Sequence, residues 1–214
     1  HIHWPVKRLM QQKTTLLLLN RNGGKFMAPN SLHKESLETQ IREAYGRVVY
    51  TYTTHLKMMN RLVKKNTDIK HLQIGLSAIS TGGFIGFFIT NEFVLNCIGG
   101  LCSTALLALN LYYKDFNLSD EIKQHRIASD CLWIVREQYV SLLTDFCVLN
   151  EDEIVARRND LQKQTYAIYK QSPKTDSKSY ADTQKALKSE EEQFFTPEEI
   201  DKMLPAHLRV QNRT

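Results

Sequence analysis

The stretch LQIGLSAISTGGFIGFFIT, Leu72 to Thr90, runs through Asn91-Glu92 into FVLNCIGGLCSTALLALNLYY, Phe93 to Tyr113. Glu92 is its only formally charged side chain. Each arm is roughly 20 residues, the length an α-helix needs to cross a hydrocarbon core about 30 Å thick. A soluble amphipathic helix carries charges on its wet face every turn or so. These arms carry none. Helices satisfy their own backbone polar groups in lipid, so the stretch predicts a transmembrane helical hairpin, residues 72–90 and 93–113.

The polar residues Gln73, Ser77, Ser80, Thr81, Asn96, Ser103, Thr104 and Asn110 leave a second reading open: a buried hairpin at the centre of a soluble helical domain. The long charge-free runs favour the membrane.

The whole chain has 214 residues, 28 Lys+Arg against 23 Asp+Glu. Its overall hydropathy is negative, so the apolar material is concentrated in the hairpin. The basic excess suits nucleic acid or an anionic membrane surface. No long Lys/Arg run and no basic stretch interleaved with aromatics is present, so direct nucleic-acid binding is not expected. Cys97, Cys102, Cys131 and Cys147 form no CxxC pair and have no histidine cluster beside them. They read as free thiols packed as small apolar groups, with neither a metal site nor a disulfide framework. No signal peptide is visible.

The chain begins at His1, and Gly23-Gly24-Lys25-Phe26 stands before Met27. The codons GGA GGT AAA TTT ATG would make a ribosome-binding sequence before a start. Residues 1–26 are therefore read as a translated leader or expression-derived sequence with Met27 as the true start, or as a genuine N-terminal tail. On either reading residues 1–35 stand apart from the folded domain.

From Ser36 the residues Leu37, Ile41, Tyr45, Val48, Tyr52, His55/Leu56, Met59 and Leu62/Val63 recur every three to four positions. They predict one long amphipathic helix. Asn66-Thr67-Asp68 offers its stop or a new N-cap. Beyond the hairpin, Asn117 or Ser119 caps a third long helix, with Asp120 and Glu121 in its first turn. Its stripe is Ile122, His125/Arg126, Ser129, Leu132/Trp133, Arg136, Tyr139/Val140, Leu143 and Phe146. The helices entering and leaving one hairpin run antiparallel, and packing on each other is the simplest way to bury both stripes. A more polar helix follows over Asn150–Tyr169. Gln171 to Asp182 reads as a linker or exposed loop. Thr196-Pro197-Glu198-Glu199 is a helix start that ends before Pro205, with Phe194, Phe195, Ile200, Met203 and Leu204 available to dock it. The predicted class is all-α: a two-helix transmembrane hairpin flanked by long amphipathic cytoplasmic helices. The domains are residues 1–35, 36–170 and 171–214.

Lys57, Arg61, Lys64, Lys65 and Lys70 precede the first arm, and Lys114, Lys123 and Arg126 follow the second. The tip between the arms has no positive charge. This asymmetry predicts both termini in the cytoplasm. Asn117-Leu118-Ser119 matches a glycosylation pattern but falls on that side.

No catalytic constellation emerges, and neither enzymatic activity nor a cofactor is expected. His55, His71 and His125 are isolated along the chain and read as packing or surface residues. Gly82-Gly83 and Gly99-Gly100 lie inside apolar arms, where a phosphate loop cannot form. The small residues instead form ridges: Gly75, Ala78, Gly82 and Gly86 on one arm, Gly99, Gly100, Ser103, Thr104 and Ala108 on the other. Small residues let membrane helices approach closely, within one hairpin or between chains. Asn96, Ser103 and Asn110 are seven apart and share a face. Polar side chains in a membrane face a bundle interior or a cavity, so these three are the candidate pore lining. Interhelical hydrogen bonding without a conduit is the other reading.

This pattern, with the run Leu132-Trp133-Ile134-Val135-Arg136-Glu137-Gln138-Tyr139-Val140-Ser141-Leu142-Leu143, resembles the SLATT family. Those are two-transmembrane effector domains associated with SMODS nucleotidyltransferases and SLOG nucleotide sensors in bacterial conflict systems. Ile41-Arg42-Glu43-Ala44-Tyr45-Gly46-Arg47 also looks like that family's first helix. The resemblance covers about Leu37 to Tyr169, with Trp133, Arg136, Tyr139 and Leu143 as the family-motif residues. It implies a pore-forming inner-membrane effector in antiviral defence that acts as a homo-oligomer in the lipid bilayer. Its trigger would come from a separately encoded partner, such as a nucleotide-synthesising enzyme or a reverse transcriptase from the same operon. A non-conducting, membrane-anchored adaptor is the rival expectation.

Overall fold

The computed structural model describes residues 29–90, 93–114, 117–206 and 209. The readings of residues 1–26 and of the Asn91–Glu92 tip lie outside them. The chain divides into two compact units, residues 1–40 and 41–214. In the first, helical backbone begins at Pro29, and hydroxyls close local bonds such as Ser36 Oγ to the Leu32 carbonyl, 2.8 Å.

One helix, α1, runs from Pro29 to Thr90, 62 residues. It starts before Ser36 and does not stop at Asn66-Thr67-Asp68, where a break was expected. Each of those residues costs about 0.5 kcal/mol relative to alanine in a helix interior. None is proline or glycine. Interrupting the helix there would leave unpaired backbone groups at two new ends, so the helix runs through. After it come α2 (Phe93–Lys114), α3 (Leu118–Thr144), α4 (Glu151–Gln171), α5 (Ser177–Lys188) and α6 (Pro197–Met203). Among the described residues there is no strand.

The caps follow the sequence. Asn117 accepts from the Asp120 N–H at the start of α3. Asn150 and Glu153 make a reciprocal capping box on α4. Thr196 and Glu199 make another on α6, with Pro197 in the first turn.

In residues 41–214, α1 buries Ile41, Ala44, Val48, Val49, Met58 and Leu62, and α3 buries Leu132, Val135, Tyr139 and Leu142. Met58, Leu62 and Leu118 form a cluster joined by Ile69, Tyr113 and Ile122, so α1 and α3 do pack on each other. Ile154 and Leu161 fix α4 against the bundle. Residues 172–176 are non-helical as expected, but residues 177–182 of the expected linker belong to α5. Asp176 caps it, and Ser179, Thr183 and Ala186 are buried at helical spacing. These residues are small, and two of them are polar, so close approach holds the helix where hydropathy gives no signal. Of the apolar residues available to dock α6, Phe194, Phe195, Ile200 and Met203 are exposed and Leu204 is partly buried, while Asp201 is buried.

Candidate functional site: the hairpin and the helices that carry it

Burial stops abruptly at Leu62. From Val63 to Asn117, Gly99 alone is buried among the described residues. Ile74, Phe88, Phe93 and Leu101 are each about 70% exposed (67%, 70%, 73% and 72%). A core hairpin of a soluble domain would have these side chains inside. A monomer with bare isoleucines and phenylalanines along both arms needs an apolar solvent around them. The soluble alternative therefore fails on burial, and two helices long and apolar enough to cross a membrane remain.

The arms meet at Gly83 and Gly99. A Cβ on Gly83 would lie 2.8 Å from the Leu95 carbonyl oxygen and 3.2 Å from Gly99 Cα. A Cβ on Gly99 would lie 3.1 Å from the Ser80 carbonyl oxygen. Backbone touches backbone there, which only glycine permits. Gly83 was not among the sequence candidates. It lies on the ridge next to that of Gly75, Ala78, Gly82 and Gly86. A Cβ on Gly86 would lie 3.1 Å from Leu95 Cδ1, whereas Gly75, Gly82 and Gly100 have open space where a Cβ would sit. Ala78, Thr104 and Ala108 are exposed, and Thr104 Oγ1 donates back to the Gly100 carbonyl.

The polar stripe divides as well. Asn110 Oδ1 accepts from Gln73 Nε2 at 2.8 Å, and the Ser103 hydroxyl bonds that of Ser80. Both bonds tie the two arms of one chain. Asn96 is exposed. A groove of about 810 Å³ runs along the hairpin between Gln73, Ser77, Thr81 and Gly82 on α1 and Leu106 and Asn110 on α2. It brings the hydroxyls of the first arm to the same face as Asn110.

Below the hairpin the histidines prove to be partners. His55 and His125 are buried with their Nδ1 atoms 2.8 Å apart. Burial lowers both, His55 to about 4 with a further push from His125. For His125, Glu121 and Asp176 oppose that fall. His71 is exposed. Sequence gave no sign of the pair, because seventy residues separate its members.

A second tie lies beside it. Arg61 bonds Asp176, and Ser179 Oγ lies 3.3 Å from Met58 Sδ, so the start of α5 is held to α1. Lys57 pairs with Glu192 at 2.7 Å, and Gln193 donates to Thr53. The segment after α5 is thereby folded back onto α1.

Of the motif residues, Tyr139 is fully buried and Leu143 partly so. Arg136 pairs with Glu137 at 2.8 Å, and Trp133 is half exposed on the outer face of α3. All four cysteines are unpaired; Cys97 and Cys147 are exposed rather than packed inside. Among the described residues no group of three His, Cys, Asp or Glu converges as a metal site would.

The family model for SMODS and SLOG-associating 2TM effector domain family 4 matches residues 37–199. That span reaches past residue 170, through α5 and into α6. No curated protein and no solved structure matches the chain.

Proposed function

The chain belongs to the SLATT family of two-transmembrane effectors, and we propose that it oligomerises in the bacterial inner membrane and permeabilises it during an anti-phage or conflict response. A separately encoded partner or a nucleotide signal would release this activity. Both termini would lie in the cytoplasm, where the basic flanks belong.

The groove along the hairpin carries this reading. Two helices cannot enclose a water-filled hole, so a conduit needs several copies. Gln73, Ser77 and Thr81 recur every four residues on one face of α1, beside Asn110. Amides and hydroxyls in hydrocarbon are costly unless they find a partner or water. Arranged around an axis, copies of this face would supply both.

The non-conducting adaptor draws on a different observation. Ser80–Ser103 and Gln73–Asn110 satisfy polar groups inside one hairpin, as a plain anchor would. Liposomes containing the purified full-length protein separate the two. Protein-dependent leakage of trapped ions supports the permeabilising effector. Intact liposomes with fully inserted protein, in the presence of the partner encoded beside it, support the adaptor.

A further inference from the structure

Just before α1 enters the membrane, Arg61, Lys64, Lys65, Asp68, Ile69 and Leu72 line a recess of about 310 Å³. Their spacing places all six on one helical face. Three are cations and one is an anion. The inner wall is apolar: Ile69 packs with Tyr113 on the Met58–Leu62–Leu118 cluster. Lys65 Nζ stands 5.9 Å from the centroid of the Tyr113 ring, which holds this lysine against the end of α2. Lys114, exposed and next in the chain, adds a further cation.

The recess has two chemically different ends. Lys64 and Lys65 are exposed to water, while Leu72 opens the apolar arm. At 1.5 Å per residue, Lys64 and Lys65 lie about 10–12 Å below Leu72 along the helix. A headgroup layer adds about 5–8 Å to each side of the hydrocarbon core, and flexible lysine side chains span the rest. Arg61 is already bonded to Asp176, so the headgroup charge falls to exposed Lys64 and to Lys65 beside the Tyr113 ring.

We propose that this recess binds the phosphate of an anionic phospholipid headgroup through Lys64 and Lys65, with the acyl chains lying over Ile69 and Leu72 onto the hairpin. A free phosphate would use the cationic end and leave the apolar end empty. An amphiphile uses both. The site depends on the hairpin lying in a bilayer and not on permeabilisation.

The test reads the thermal unfolding midpoint of the full-length protein in neutral detergent. Phosphatidylglycerol, phosphatidylcholine and inorganic phosphate are added separately at equal concentration. Phosphatidylglycerol should raise the midpoint above both others, because a ligand bound only to the folded state stabilises it. Lys64→Gln/Lys65→Gln should lose at least half of that rise, and Lys64→Arg/Lys65→Arg should retain it. Lys163→Gln/Lys170→Gln, on α4, should behave as the parent. If the Gln double variant does not purify, each single variant should lose a smaller part. A full rise in the Gln variants, or an equal rise with phosphatidylcholine or with phosphate alone, overturns the assignment. No conductance is measured, so this outcome is separate from that of the liposome experiment.

Discussion

His55 on α1 and His125 on α3 face each other inside the bundle with 2.8 Å between their Nδ1 atoms. One Nδ1 must donate and the other accept. With His55 donating, the remaining N–H of His125 is on Nε2, 4.0 Å from Glu121 Oε1. The contact joins the helix that enters the hairpin to the helix that leaves it. It tolerates one proton between the rings. When both rings are protonated, two N–H groups point at each other.

A pH dependence follows, and its sign is fixed by burial. His55 falls from 6.5 to about 4 in the folded chain, so the unfolded chain takes up a proton first as pH drops. Stability is full above pH 6.5 and is lost as pH falls from there towards about 4. The gap is worth about 3 kcal/mol. His125 moves in the same direction. Asp176, pushed up by burial but brought below its ordinary 3.8 by the Ser179 N–H and Arg61, acts only at lower pH. Thermal unfolding followed by circular dichroism at pH 7.5 and 5 should show this loss in the parent. His55→Leu/His125→Leu should flatten it. An unchanged pH slope in that variant would remove the pair from the explanation.

The glycines of the first arm should separate into two classes. Gly83→Ala forces a methyl group into the Leu95 carbonyl and should splay the hairpin, costing about 1–3 kcal/mol. Gly82→Leu meets open space within the chain. It should leave the monomer's thermal midpoint unchanged and weaken association between chains if they meet on that ridge. Cross-linking ladders and unfolding curves read the two effects apart. Equal midpoints for Gly83→Ala and the parent would contradict the observed helix contact.

Asp176 both caps α5 and holds Arg61. Asp176→Ala should therefore loosen α5 from α1, at a cost of about 1–2 kcal/mol. Asp176→Asn, which keeps a capping oxygen but not the charge, should fall between that variant and the parent. Limited proteolysis across residues 171–189 should follow the same order. Equal cleavage of all three proteins would show that this tie does not hold α5.

The hairpin and the two bundle helices were legible because each is announced by a long, regular apolar pattern. The caps at Asn117 and Thr196 were legible because their chemistry is local. α5 was not, since Ser179, Thr183 and Ala186 pack by being small. The continuity of α1 through Asn66-Thr67-Asp68 was hidden too, because local propensity describes the cost of those residues but not the cost of stopping. At the site, sequence spacing put Asn96, Ser103 and Asn110 on one face. It could not say that Gln73 and Ser80 of the other arm would take up two of them. The histidine pair and the Gly83–Gly99 contact depend on which faces of distant helices meet, and no local pattern encodes that.

Topology has a direct test. With Cys97, Cys102, Cys131 and Cys147 replaced, single cysteines at Lys65 and Lys114 should both be labelled from the cytoplasmic side. The two positions flank the hairpin, and Lys65 lies against Tyr113, so they must report the same side. Labelling from outside would invert the orientation. Labelling from opposite sides would rule out the hairpin.

The conduit provides the last prediction. Asn96 is exposed, while Asn110 lies in the groove with Gln73, Ser77 and Thr81. If the original stripe lines a pore, Asn96→Leu/Asn110→Leu should dry it, raise the barrier to ions and lower toxicity on overexpression. If the groove face lines it, Ser77→Leu/Thr81→Leu should do the same, and Asn96→Leu alone should be silent. Each change makes an arm more apolar, so membrane insertion should hold and the protein in the membrane fraction should stay level. Asn110→Leu also removes the acceptor for Gln73, so its hairpin must be checked by thermal unfolding before a loss of leakage is assigned to drying. Depolarisation as fast as the parent's in both double variants would show that neither face is the lining.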